Sequence, residues 1–165
     1  MQRSGSLSRG SSAGNLVALG SKSSFLLSGN SRSMTRLPGS ELSDDDKDWL
    51  TNTCTQLSSS DFRNRQIGLE AISNKTELDG LDLPQKGISK LLKELIPRLN
   101  DNNTKVTSTA IYIFQKIMPH ICSIFPTEFL PEFVNTIALN FASKSAELRE
   151  SATNLMKACF TNLGQ

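Results

Sequence analysis

The residue types that usually carry catalysis or bind metals are sparse in this sequence of 165 residues. The three cysteines, Cys54, Cys122 and Cys159, are scattered, no CxxC pair occurs, and His120 is the one histidine. This pattern predicts neither a zinc site nor a bound cofactor. There is also no nucleophile elbow, no glycine-rich phosphate loop and no carboxylate pair expected to face inward. We therefore expect a binding protein without enzyme activity or a small-molecule substrate.

A second group of residues is suited to binding a protein partner. One aromatic ring, three cations and an amide lie in short polar breaks between apolar segments: Phe62, Arg63, Asn103, Lys105 and Lys144. Cations beside an aromatic ring suit an acidic protein surface, because charge attraction and ring contact both stabilise the complex. Phe62 has an alternative role, since its ring could fold back over Leu57 or Leu69.

The clearest structural element is a helical hairpin over residues 87–121. Apolar residues recur at i, i+3, i+4 and i+7 in 88–99 and again in 106–118, which predicts two amphipathic helices. Asp101 lies in the polar segment between them, which is rich in residues that turn the chain and cap helices. Pro97 lies inside the first helix and is expected to bend it.

The same hairpin pattern occurs three times when the sequence is shifted by 42 residues. The matching positions include Trp49, Leu91 and Phe133; Cys54, Ile96 and Ala138; Leu57, Leu99 and Phe141; Gly68, Ala110 and Ala152; and Ile72, Phe114 and Met156. Asp61, Asn103 and Ser145 share the position at which each second helix should begin, and all three are types that cap helices. A fixed period of about 40 to 47 residues with two helices per period is typical of HEAT or armadillo repeats.

We therefore predict an all-α fold, an α-solenoid of three HEAT-like helical hairpins within residues 43–163. The predicted hairpins are 43–75, 87–118 and 128–162, with connectors at 74–87 and 119–127. An ordinary helical bundle is the alternative, although a bundle has no reason to keep a fixed period. The turns within the hairpins of a solenoid lie along one edge, so the three turns are expected to form one surface. Near that edge Arg65 and Arg149 share a position with Thr107, and we expect their stems to pack and their guanidinium groups to bond the turns of neighbouring repeats.

Residues 1–42 are predicted to form a disordered basic arm. Residues 1–40 hold twelve serines, six of the ten glycines, five basic residues and no acidic residue. Such a composition buries too little apolar surface to offset the chain entropy lost on folding. Its charge suits an acidic polymer or surface. A mitochondrial transit peptide is an alternative, but six glycines disfavour the amphipathic helix that such a peptide needs.

A short motif within this arm resembles the [S/T]-x-[I/L]-P sequence by which microtubule plus-end proteins dock on end-binding proteins. The residues are Thr35, Arg36, Leu37 and Pro38. Leu37 and Pro38 would fill an apolar groove, while Arg36 would meet acidic walls. The alternative is a linker that contains a proline.

The stretch SSSDFRNRQIGLEAI, residues 58–72, resembles the opening repeat of a TOG domain. TOG domains are the tubulin-binding HEAT arrays of the CLASP and crescerin (TOG array regulator of axonemal microtubules) families. The residues that match the family pattern are Asp61, Arg65, Gly68, Leu69 and Ile72. Phe62 stands where the family has a tryptophan that packs on tubulin.

The second and third hairpins resemble the following TOG repeats. Thr107 departs from the basic residue of the family pattern, whereas Arg149 and Glu150 match the third repeat, and Lys144 lies one residue from the usual loop lysine. A complete TOG domain has about twice as many repeats, so the chain resembles the N-terminal half. The resemblance implies tubulin contacts at Phe62, Arg63, Asn103, Thr104, Lys105 and Lys144, with Asp61, Arg65, Asp101, Ser145 and Arg149 as structural turn residues.

The expected partners are tubulin or microtubules, with end-binding proteins as a further candidate, in the cytoplasm and cytoskeleton. The cilium, axoneme and centrosome are narrower alternatives. A generic HEAT adaptor is the second hypothesis, and it would bind a peptide on its concave face at Glu70, Tyr112 and Gln115. Nucleic acid is not expected, because residues 41–165 hold 13 basic and 16 acidic residues, a net charge of −3. No apolar run approaches the roughly 18 residues of a membrane span.

Overall fold

A computed structural model describes residues 41–163 as six α-helices joined by short turns. The helices are α1 (Asp44–Leu57), α2 (Phe62–Asp79), α3 (Gln85–Leu95), α4 (Thr104–Ile121), α5 (Leu130–Leu139) and α6 (Ala146–Leu163). No strand occurs within this part of the chain, so the all-α prediction is confirmed. The predicted basic arm lies outside the described residues except for its last two positions.

The start of α1 is fixed by its own side chains. The Ser43 hydroxyl accepts a hydrogen bond from the Asp46 backbone N–H at 3.1 Å and donates to the Asp46 carboxylate at 2.6 Å. This reciprocal pair satisfies a backbone donor that the helix leaves open at its N-terminus. Three acidic residues, Asp44 to Asp46, lie in the first turn, where the helix dipole favours negative charge.

Helix α2 is longer than the sequence pattern predicted. It continues to Asp79 and ends at Gly80, whose φ of 68° is left-handed, so the connector spans only residues 80–84. The extra turn carries Thr76, which is buried, and Glu77, which forms an ion pair with Lys116 of α4. The burial of Thr76 and the ion pair of Glu77 with α4 stabilise a segment whose own sequence pattern is weak.

Two prolines behave differently from the prediction. Helix α3 ends at Leu95, and Pro97 lies in a 3-10 turn, Ile96–Asn100, instead of bending a continuous helix. A tighter helix accommodates a proline that cannot donate to the carbonyl four residues earlier. By contrast, α4 passes through Pro119 to Ile121. The buried Ile121 side chain offsets the missing backbone hydrogen bond.

Helices α1 and α2 pack on each other, as do α5 and α6, whereas α4 packs on the 3-10 turn that follows α3. Helix α1 packs on α2 and α3, α2 on α4, α4 on α6, and the 3-10 turn Ile96–Asn100 on α4 and α5. The core between the second and third pairs is aromatic, with the Phe114 and Phe133 rings 4.7 Å apart and the Phe125 and Phe133 rings 5.4 Å apart. We refer to α1–α2, α3–α4 and α5–α6 as hairpins 1, 2 and 3. The solenoid arrangement itself stays a prediction.

Candidate protein-binding edge

The turns within the three hairpins share one set of hydrogen bonds. In each hairpin, the N-cap residue of the second helix donates its backbone N–H to a side-chain oxygen of the residue two positions earlier. The pairs are Asp61 N to Ser59 Oγ at 3.2 Å, Asn103 N to Asp101 Oδ1 at 2.9 Å and Ser145 N to Ser143 Oγ at 3.2 Å. Each of these bonds lies 42 residues from the next, so the sequence period is reproduced in turn geometry.

The N-cap side chains also accept hydrogen bonds from backbone N–H groups in the first turn of each second helix. Asp61 accepts from the Arg63 N–H at 2.9 Å, and Asn103 accepts from the Lys105 N–H at 3.0 Å. Ser145 accepts from the Leu148 N–H, three positions after it, at 3.4 Å, whereas the other two caps accept from the N–H two positions on. A capped helix start holds the residues beside it in one backbone conformation. The candidate contacts Arg63 and Lys105 therefore begin from fixed positions.

A third repeated contact ties each second helix back to its own turn. The Arg65 Nη1 donates to the Ser59 and Ser60 carbonyls, both at 2.8 Å. Arg149 makes the same pair of contacts with the Ser143 and Lys144 carbonyls, at 2.7 and 3.2 Å. In hairpin 2 the Thr107 hydroxyl donates to the Asp101 carbonyl at 3.2 Å. Both arginines thus bond the carbonyls of their own turn, and Thr107 does the same with a hydroxyl.

Asp101 joins the turn of hairpin 1 to the turn of hairpin 2. Its carboxylate lies 2.8 Å from both Nη2 and Nε of Arg65 and 2.9 Å from Nη1 of Arg98. The Asp101 side chain is 2% exposed. Burial alone would raise the pKa of Asp101, but hydrogen bonds from Arg65 and the Asn103 N–H, with the two guanidinium charges, hold it below its ordinary value. The ion pair, with its hydrogen bond from Arg65 Nη2, fixes the two turns relative to each other.

The turn of hairpin 3 is tied to the same edge. The Asn140 side chain, just before this turn, is buried and donates to the Leu99 carbonyl at 2.8 Å, just before the turn of hairpin 2. Two independent links therefore connect the three turns. The candidate residues Phe62, Lys105 and Lys144 each lie within about four positions of a side chain that forms one of these links.

Phe62 is the first residue of α2 and directly follows the turn of hairpin 1. Its side chain is 41% exposed, and the Arg63 guanidinium carbon lies 5.9 Å from the ring centroid. The alternative role for Phe62, folded back over Leu57 or Leu69 and partly buried, fits an exposure of 41% as well as a binding role does. The edge thus presents a partly exposed aromatic ring beside a cation.

The remaining edge residues are exposed and polar. Thr104, Lys105 and Lys144 are exposed, and neither lysine forms an ion pair with a described residue. Asn103 is half-buried because its side chain caps α4. Thr35, Arg36, Leu37 and Pro38 lie outside the described residues.

Sequence reasoning expected Arg65 to bond the turns of neighbouring repeats but did not identify Asp101 as its partner. Asp101 was recognised as a turn residue, yet its partner Arg65 is 36 positions away and Arg98 had no assigned role. One signal was available: Asp101 is the acidic member of a position that holds Ser59 and Ser143. An acid at a repeated turn position near arginines indicates an ion pair between repeats.

Nothing in residues 41–163 forms a metal-binding group of histidine, cysteine, aspartate and glutamate side chains. His120 is exposed near the end of α4. Within the same residues, no helix has the length and apolar character to cross a membrane.

Comparisons with protein-family models, with curated proteins and with solved structures each found no match to this chain. The resemblance to TOG domains therefore depends on the residues and their spacing.

Proposed function

We propose that the chain is a non-enzymatic tubulin- or microtubule-binding module that regulates microtubule dynamics or organisation in the cytoskeleton or cilium. One observation carries the proposal. Hydrogen bonds link the three turns, and the exposed residues in or beside these turns include the Phe62 ring with Arg63, Lys105 and Lys144. In this proposal the hairpins form a HEAT-like α-solenoid whose turn edge faces tubulin.

The charge and rigidity of the edge support an acidic protein partner. Three cations along one edge attract an acidic surface such as that of tubulin, and lysines without ion-pair partners give up no internal contact on binding. The caps and the Arg65–Asp101 pair hold the edge in place before binding, which reduces the ordering cost of association. Phe62 would be the anchor, because partly exposed aromatic side chains often dominate binding energy.

The proposal is tested by measuring tubulin binding of the full chain by gel filtration at low salt. Phe62→Ala and Lys105→Glu should each weaken binding at least about tenfold, in keeping with a central contact. Lys86→Glu is the matched control, because Lys86 is exposed at the other end of its hairpin, at the start of α3, and the charge change is the same. Equal binding by all three variants would contradict the proposal.

The basic arm needs its own comparison, because it is a second candidate route to an acidic lattice. A chain lacking residues 1–40 should keep binding that is sensitive to Phe62→Ala. The full chain should bind more strongly at low salt, and this excess should vanish as salt screens the charges. End-binding proteins are the proposed partners of Thr35, Arg36, Leu37 and Pro38, and Leu37→Ala with Pro38→Ala should abolish their capture.

A generic adaptor that grips a peptide is the second candidate, and a groove between α4 and α6 favours it. The groove is lined by Ser108, Thr109, Tyr112, Gln115, Glu147 and Ser151. Tyr112 is 53% exposed, with the Lys116 ammonium 5.3 Å from its ring centroid, whereas Gln115 already donates to the Ser151 carbonyl at 3.0 Å. Glu70 is exposed on α2. Under this alternative, Tyr112→Ala rather than Phe62→Ala would abolish partner binding.

A further inference from the structure

The burial of equivalent residues changes abruptly in hairpin 3. Five positions are buried in hairpins 1 and 2 and exposed in hairpin 3. They are Cys54, Ile96 and Ala138; Leu57, Leu99 and Phe141; Arg65, Thr107 and Arg149; Leu69, Ile111 and Thr153; and Thr76, Met118 and Phe160. The exposed fraction rises from 0% at Leu57 and Leu99 to 42% at Phe141, and from 0% at Met118 to 74% at Phe160.

In hairpin 1 these positions contact the hairpin that follows. The Cys54 thiol lies 3.8 Å from the Lys90 carbonyl of α3, and Arg65 binds Asp101 in the next turn. Ala138 and Arg149 are the equivalents of Cys54 and Arg65, so they occupy positions that in hairpin 1 contact the following hairpin. The other three positions share the change from buried to exposed. We call the surface formed by Ala138, Phe141, Arg149, Thr153 and Phe160 the α5–α6 face.

The opposite face of hairpin 1 has a different character. Lys75 lies 3.0 Å from Asp46 and 2.8 Å from Asp79, and its ammonium is 5.2 Å from the centroid of the Trp49 ring. The positions equivalent to Lys75 in the other hairpins hold Ile117 and a cysteine, both buried. A charged network at this position suits a repeat that ends an array. It is a poor match for an apolar face, so head-to-tail pairing of two copies is disfavoured.

We propose that the α5–α6 face binds a fourth helical hairpin of the same repeat type, whose interhelical turn carries an aspartate or glutamate in the place of Asp101. Phe141 and Phe160, the apolar part of the face, contact the helices of the fourth hairpin. Arg149 pairs with the carboxylate in the turn of the fourth hairpin. Arg149 also bonds the turn of hairpin 3, but the other members of the face are not candidate tubulin contacts, so the inference does not depend on tubulin binding.

Arg149 is arranged for this role in the same way as Arg65. Both arginines use Nη1 on the two carbonyls of their own turn. Arg65 places Nη2 and Nε on Asp101, whereas the corresponding atoms of Arg149 have no partner among the described residues. A carboxylate 36 positions after Arg149 in the repeat register would complete the same pair, because Arg65 and Asp101 are 36 residues apart.

The chain supplies its own probe in hairpin 2. A copy of residues 80–121 is attached directly after Leu163, in place of Gly164 and Gln165 of the full chain. This junction keeps the 42-residue register and sets the copied Asp101 36 positions after Arg149. The attachment raises the effective concentration of the added hairpin without adding contacts. A single hairpin of this kind cannot bury its apolar side alone, so it should fold only by docking.

We expect the added hairpin to dock. The Tm should rise by at least about 5 °C, and backbone amide exchange in the last turns of α6 should slow at least about tenfold. Arg149→Met and Asp→Asn at the copied Asp101 should each remove most of the added stability, and the two changes together should cost no more than one alone. Arg149→Met in the parent chain, without the added hairpin, measures the stability lost with the contacts of Arg149 in its own turn. This loss is subtracted from the effect of Arg149→Met in the extended chain.

A copy of residues 38–79 attached in the same register is the matched control. It carries Ser59 in the place of Asp101 and Lys75 in the place of Ile117, so it should give no protection of α6. Equal results for the two copies, or an added hairpin 2 that stays unfolded with α6 unprotected, would overturn the proposal. Sedimentation of the parent chain as a dimer, with α6 protected and Phe160→Ser restoring the monomer, would assign the face to a second copy and overturn it as well.

Discussion

Asp101→Asn is expected to destabilise the folded chain by about 2–4 kcal/mol, because it leaves two arginines without their shared counter-ion. The carboxylate contacts Arg65 twice at 2.8 Å, Arg98 at 2.9 Å and the Asn103 N–H at 2.9 Å. Removing one partner of a buried ion pair costs about 3–5 kcal/mol. The loss should be somewhat smaller here, because the Arg98 side chain is 21% exposed and water can solvate it.

The assay is urea unfolding at pH 7 followed by circular dichroism, with the free energy of unfolding extrapolated to water. Arg65→Met and the double variant complete a cycle, in which we expect a coupling energy of about 1–3 kcal/mol between the two residues. Asp44→Asn is the control, since Asp44 pairs with Lys47 at the surface and should change stability by about 0.5 kcal/mol or less. A loss at Asp101 no larger than the loss at Asp44, or a coupling near zero, would refute the link between turns.

Four further measurements follow from the same structure. The pKa of Asp101 in the folded chain lies below its ordinary value of 3.8. The Asp101 carboxylate therefore stabilises the fold fully above pH 3.8, and this stabilisation is lost as the pH falls through the lower folded pKa. The difference in unfolding free energy between the parent chain and Asp101→Asn should be constant above about pH 5 and shrink below it. Burial raises the pKa of Cys159 to about 11, so iodoacetamide at pH 8 should modify the half-buried Cys122 first and Cys159 only on unfolding, as read by mass spectrometry. Phe114→Ala should cost about 3–5 kcal/mol in urea unfolding, because Phe114 is fully buried against Phe133. Gly68→Val should cost about 1–3 kcal/mol, since even a Cβ at Gly68 would lie 3.1 Å from the Gln56 Cβ and 3.2 Å from Leu57; an unchanged unfolding free energy would show that α1 moves aside freely.

The parts of the fold that could be predicted are those that depend on local residue patterns. The apolar spacing in 88–99 and 106–118 predicted two helices, and the cap residues Asp61 and Asn103 bond the N–H groups that such residues usually bond. These features need no knowledge of distant contacts, so a single sequence contains them.

The parts that could not be predicted depend on contacts between hairpins. Helix α2 runs past residue 75 because Thr76 packs into the core and Glu77 reaches Lys116, and neither contact has a periodic signal. The Asp101 link required the relative position of two turns. Whether Phe62 would be exposed or covered also depended on packing, and the structure leaves it between these limits, at 41%.

The most direct test of the central claim is amide hydrogen exchange of the full chain with and without tubulin. The account predicts slower exchange at the three turns, residues 59–63, 101–105 and 143–146, with little change in the middle of α4 and α6. Protection confined to the α4–α6 groove around Tyr112, or binding that leaves the three turns unchanged, would contradict it.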